Sequence, residues 1–217
     1  FSSSFLVNST AADALTFNQT TKNLTIGTGL SITGSGAVTK TGAGTLTLTT
    51  SHSYTGPTTV SGGTLVLNGS LDQGSTVTVA SGATLSGTGT ANGTVIVQNG
   101  GHISPGTATT PGYLYVGGLT LDQGSLLDYE FGSSSDQINI NNPDSLTLNG
   151  GAFNLFGPGG TTPLTANGTY TLLDYNNTFL GQLSNLSVNN QTIGKLYTFN
   201  NDVNNTLITL TISDNAS

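Results

Sequence analysis

The chain has 217 residues, enough for one large domain or two small ones. Only 6% are charged, against about 25% in ordinary soluble proteins, and the net charge is −7. Three lysines and no arginine exclude the basic footprint of a nucleic-acid binder, no apolar run reaches the about 20 residues of a membrane-spanning helix, and zero Cys excludes disulfides.

Thr, Ser, Gly and Asn dominate. Thr and Val favour strands, while Gly and Asn favour turns. The composition therefore predicts an all-β chain of many short strands. The N-terminal part, up to Lys40, carries FLV, ALTFNQ, NLTIGTG and LSITGSG, each a short strand segment. Phe1, Phe5, Leu6 and Val7 make an apolar opening whose nearest charge is Asp13. Two fates are expected for it: the first rung of its own fold, or a strand added to the edge of a neighbouring copy.

Repeats follow. Leu46/Leu48, Leu65/Leu67, Ala83/Leu85 and Ile103 recur with a period of about 18–20 residues. A second ladder, Val60, Val77/Val79, Val95/Val97 and Leu114/Val116, runs between them. Gly-rich corners separate the two, at Gly62-Gly63, Gly82 and Gly100-Gly101. One short rung cannot bury its inward side chains, so rungs must stack into a thin continuous core. The predicted inward stacks are Leu46, Leu65, Ala83 and Ile103, and beside them Val77, Val95 and Leu114. Outward Thr carries no charge to repel its copy on the next rung.

Beyond Leu119 the strands LLDYEF, DQINI, SLTLNGG and AFNLF continue the pattern, and Pro158-Gly159-Gly160 interrupts it. The strands TYTLLDY, KLYTF and LITLTIS are longer and richer in aromatics. Residues 1–160 are therefore expected to be solenoid rungs, and 161–217 a β-rich C-terminal cap or docking segment of the same domain.

The segment from Lys40 to Ser70 resembles the autotransporter-associated β-strand repeat: Gly42 to Leu48 as GAGTLTL, Ser53 to Gly56 as SYTG, and Gly62 to Leu67 as GGTLVL. Looser likeness covers most of the chain. The resemblance implies a right-handed parallel β-helix in an exported protein, extracellular or at the cell surface. No translocator barrel follows and no Met is present, so a cleaved passenger, an excised piece or a free-standing secreted protein is expected.

Chemistry is sparse. Asp128 and Glu130 alternate onto one face of LLDYEF and are the best carboxylate pair for a hydrolase; a solvent-facing strand is the expectation for both. The other aspartates, Asp136 among them, are scattered and read as turn residues. His52 and His102 are read as solitary turn or surface residues. A lyase using an arginine base is excluded by composition. No catalytic, cofactor or metal residue is therefore assigned, and no nucleic acid or membrane span is expected. The function expected is a non-catalytic structural protein that polymerises head to tail with itself. The alternatives are an adhesin passenger with a glycan or cell-surface ligand, and a polysaccharide-active enzyme.

Overall fold

The computed structural model describes residues 5–7, 14–107 and 110–215. The described residues form 24 strands and one three-residue 3-10 turn, Leu183–Asn185. The chain winds as a parallel β-solenoid with three faces. The third face is a separate eight-stranded parallel sheet: Leu24–Ile26, Thr45–Leu48, Gly63–Leu67, Ala83–Gly87, His102–Pro105, Leu126–Glu130, Ala152–Phe156 and Ser187–Val188. The first and second faces merge where Thr90–Val97 and Tyr113–Leu121 run through both.

Strand formation follows alternation. In Thr45–Leu48 and Gly63–Leu67 the leucines point inward and are buried, while Thr and Val66 face outward. Leu46, Leu48, Leu65, Leu67, Val77, Val79, Leu85, Val95, Val97 and Ile103 are all buried. The main column of the third face runs Leu24, Leu46, Leu65, Leu85, Ile103, Leu127, Phe153, Val188. Here the structure corrects the expected register. The residue stacked on Leu65 is Leu85, and Ala83 lies beside Gly63. Both Ala83 and Leu85 point inward, so alternation alone does not distinguish them. On the second face Val77 and Val95 continue into Leu119 and Leu146, not Leu114. Leu114 belongs to the first face, paired with Ile138, because Tyr113–Leu121 bends through two faces.

Phe5–Val7 pair in parallel with Ile32–Gly34 of the same chain; Phe1 lies outside the described residues. At the other end Gly168–Asn176 stack in parallel on Gln137–Pro143, so parallel stacking continues past Gly160. The pattern changes at Leu207–Asp214 and Lys195–Asp202, which add antiparallel to Gly168–Asn176. These two strands end the run of parallel rungs, because their hydrogen-bond pattern differs from that of a parallel rung.

Candidate functional site

The polar side chains with the most elaborate partners gather on the outer surface of the third face. Short corners connect this face to the first one in the early rungs: only Asn68-Gly69 separates Leu67 from Ser70, and only Thr88-Gly89 separates Gly87 from Thr90. From Pro105 onward the same corner lengthens. Residues 106–107, 110–112, 131–136 and 157–163 leave the rung there, tied by bridges such as Gly87 to Gly106, Phe131 to Ser135 and Phe156 to Pro163. These excursions stand over the sheet and enclose a pocket of about 480 Å³.

Asp128 sits on the pocket wall, and its two oxygens have different partners. His102 Nδ1 donates to Oδ2 at 2.7 Å, and Asn154 Nδ2 donates to Oδ1 at 2.6 Å. Asn189 Nδ2 in turn donates to Asn154 Oδ1 at 2.9 Å. His102 and Asp128 have side chains 30% and 26% exposed. A pair this accessible is weakly stabilising in water. Glu130 is buried, contrary to the expectation of a wet strand face, because the 157–160 turn folds over it. Its Oε1 accepts from Gly159 N at 2.6 Å. Its Oε2 has no hydrogen-bond partner among the described residues.

Asp136, expected in an ordinary turn, is 1% exposed. Its carboxylate accepts from Gly112 N and from Glu130 N, both at 2.7 Å. Burial pushes its pKa up, the two amide hydrogen bonds pull it down, and the Glu130 charge pushes it up again; the outcome is about 7. Asp136 therefore staples two excursions to the rung. The arrangement holds loops in place, and each Asp136 oxygen is already committed to a backbone amide.

Two further polar residues lie inside the solenoid. His52 is not on a loop: it is buried on the strand Ser51–Tyr54, where its Nδ1 accepts from Ile32 N at 3.0 Å. Burial lowers its pKa. Nor is His102 solitary or in a turn, since it begins the strand His102–Pro105 and binds Asp128. Lys40 is fully buried in the column that continues through Val60, and desolvation lowers its pKa. Its Nζ donates to Thr41 O, Gly42 O and Gly62 O at 2.7, 2.8 and 2.9 Å. A tethered cation thus binds three corner carbonyls, of which Thr41 O also accepts from Gln19 N at 3.3 Å.

Among the described residues no group of three or more His, Asp or Glu side chains is placed to hold a metal ion, and no helix is long and apolar enough to cross a membrane. The fold and these committed polar groups define a β-solenoid repeat protein. Residues 38–67 match the family model of the passenger-associated-transport-repeat. The resemblance read at Lys40 to Ser70 is thereby borne out, and the chain carries a β-helix repeat of the autotransporter-passenger type. Such a repeat implies a secreted or surface-exposed chain and is consistent with a non-enzymatic role. Comparison with curated proteins gives no match.

Proposed function

We propose that this chain acts by shape: it is a non-catalytic structural solenoid outside the cell that associates head to tail with copies of itself. The asymmetry of its exposed apolar surface supports this reading most. Among the described residues seven large apolar side chains are exposed, and four of them, Leu180, Ile193, Leu196 and Val203, fall in the C-terminal segment. Close to them in sequence, Phe179–Gly181, Ser187–Val188 and Lys195–Asp202 each pair on one side only among the described residues. An unpaired strand edge beside apolar side chains is a surface suited to another chain. At the opposite end Phe5–Val7, Ala14–Asn18 and Leu24–Ile26 likewise pair on one side only among the described residues. A contact between unlike ends propagates if it does not close into a ring. Residues 5–7 already extend their own first face, so they would act as the edge that receives the neighbour.

Sedimentation velocity with electron microscopy tests the proposal. The full chain is expected to form rods that lengthen with concentration. The double change Ile193→Lys and Leu196→Lys, on exposed positions, should keep the β circular-dichroism spectrum and leave monomers. Deleting residues 1–10 should do the same from the other end. A wild-type chain that stays monomeric at high concentration, or charged variants that still polymerise, would overturn it.

A further inference from the structure

The pocket on the third face has chemistry that a purely mechanical role leaves unused. Its floor is strand surface. Thr64, Thr84, Ser86 and Ser104 come from three successive strands of one sheet. Rung spacing sets these rows about 4.8 Å apart, close to the length of one pyranose ring. Phe156 supplies an apolar wall, and Asp128 and Glu130 supply an acidic one. The volume of about 480 Å³ lies within the range of small-ligand sites.

Glu130 is the independent pointer to a ligand. It is 5% exposed, it lines the pocket, and its Oε2 has no donor among the described residues. A buried carboxylate oxygen without a donor is unfavourable, and an incoming N–H group would relieve it. The protein's own donors nearby or charged are engaged elsewhere: Lys40 on three carbonyls, Lys195 on Asp214 and the His102 ring on Asp128. Lys22 lines a separate depression with Asn18 and Leu24. None of these groups reaches Glu130 among the described residues, so an N–H group of a ligand would give Oε2 a donor. A peptide is a poor fit, because the floor strands are already paired on both sides and offer no edge for strand addition.

We propose that this pocket binds an amino-sugar unit of a glycan, with its ammonium group on Glu130, its hydroxyls over Thr64, Thr84 and Ser104, and one ring face against Phe156. Binding here is independent of end-to-end association. The role proposed is recognition: Asp128 is held by His102 and Asn154, and both Asp136 oxygens by backbone amides.

Isothermal titration of the full chain with three matched trisaccharides tests this: β-1,4-linked trimers of glucosamine, of N-acetylglucosamine and of glucose, in mildly acidic, low-salt buffer. The glucosamine trimer should bind about tenfold or more tightly than the other two. Glu130→Gln should weaken it by about tenfold. Should that variant unfold, Ser104→Leu fills the floor without touching Glu130 and should abolish binding. The proposal is overturned if the three trimers bind alike, if the glucosamine trimer shows no binding at millimolar concentration, or if the folded variants bind it as the wild type does. It is overturned equally if trilysine binds as tightly as the glucosamine trimer, because charge alone would then explain the affinity.

Discussion

The early and late rungs of this solenoid are built differently. Up to Pro105 the third-face column advances through Leu46, Leu65, Leu85 and Ile103 in short and nearly equal steps. Beyond it the column advances through Leu127, Phe153 and Val188 in longer and unequal ones. In the early rungs, backbone lies directly against backbone at the corners. A Cβ on Gly69 would collide with the Thr50 carbonyl oxygen, and one on Gly89 with that of Gly69. In the late rungs the extra length leaves the stack, and larger side chains fill the interior. Tyr129 packs edge-on against Phe153 at 5.3 Å, and Phe131 against Tyr170 at 4.8 Å. The early region keeps its regularity because glycine backbone packs directly on backbone at the Gly69 and Gly89 corners. The late region has space there for excursions, and those excursions create the pocket.

The largest effect that would break this contrast is expected at an early corner. Gly69→Ala should destabilise by about 4 kcal/mol or prevent folding, because the clash is with backbone that cannot rotate away. Thermal melts or expression as soluble β protein would show it; a melt like wild type would mean that the corner can open. Next is the early core itself. Leu65→Ala should cost about 3 kcal/mol in a denaturant titration, since Leu65 is 1% exposed between Leu46 and Leu85.

A smaller effect tests the late region through pH. Asp136 has a folded pKa of about 7, above the ordinary carboxylate value of about 3.9. Between those values the folded chain keeps a proton that the unfolded chain has lost. Its contribution to stability is therefore complete below the ordinary carboxylate range and is lost as pH rises through about 7. Buried His52 acts in the opposite sense: its lowered pKa means that its contribution falls away as pH drops below the ordinary imidazole value. Comparison with Asp136→Asn separates the two. The melting temperature of the wild type, relative to this variant, should fall between about pH 4 and about pH 7 and level off above. A constant difference would remove the titration from Asp136. The smallest effect is at Gly82, where φ is +73° and, among the described residues beyond its chain neighbours, no atom lies within 4 Å of the position a Cβ would take. Gly82→Ala should cost only about 1 kcal/mol in the same titration, from backbone strain alone.

Much of the early region was legible because its physics is local. Alternation of Leu with Thr gives inward and outward faces, and Gly at short corners gives the repeat. Alternation also held the information on Lys40 and His52. Val38 and Lys40 share a face, as do His52 and Tyr54, and those faces are inward. The general preference of polar side chains for the surface points the other way and masks that signal. The choice of Leu85 over Ala83 needed the length of the Gly82 corner, which alternation does not report. The pocket was not legible at all. Its members Thr64, Ser104, Glu130 and Phe156 are brought together by stacking across several rungs, and Glu130 is buried by a turn at Gly159 that only the fold places over it.

Both the end surfaces and the pocket depend on the stacking register, and engineered cysteines measure it directly in a chain that has none of its own. Thr64 and Thr84 are register partners on the outer side of the third face. Adjacent parallel strands place such partners within the Cα separation that a disulfide spans, about 4.4–6.8 Å, whereas a shift of two positions does not. Oxidation of Thr64→Cys with Thr84→Cys should give an intramolecular disulfide, seen by mass spectrometry, while Val66→Cys with Thr84→Cys should stay reduced. A disulfide in the second pair and none in the first would put Ala83 over Leu65 and contradict the register that builds both the pocket and the ends.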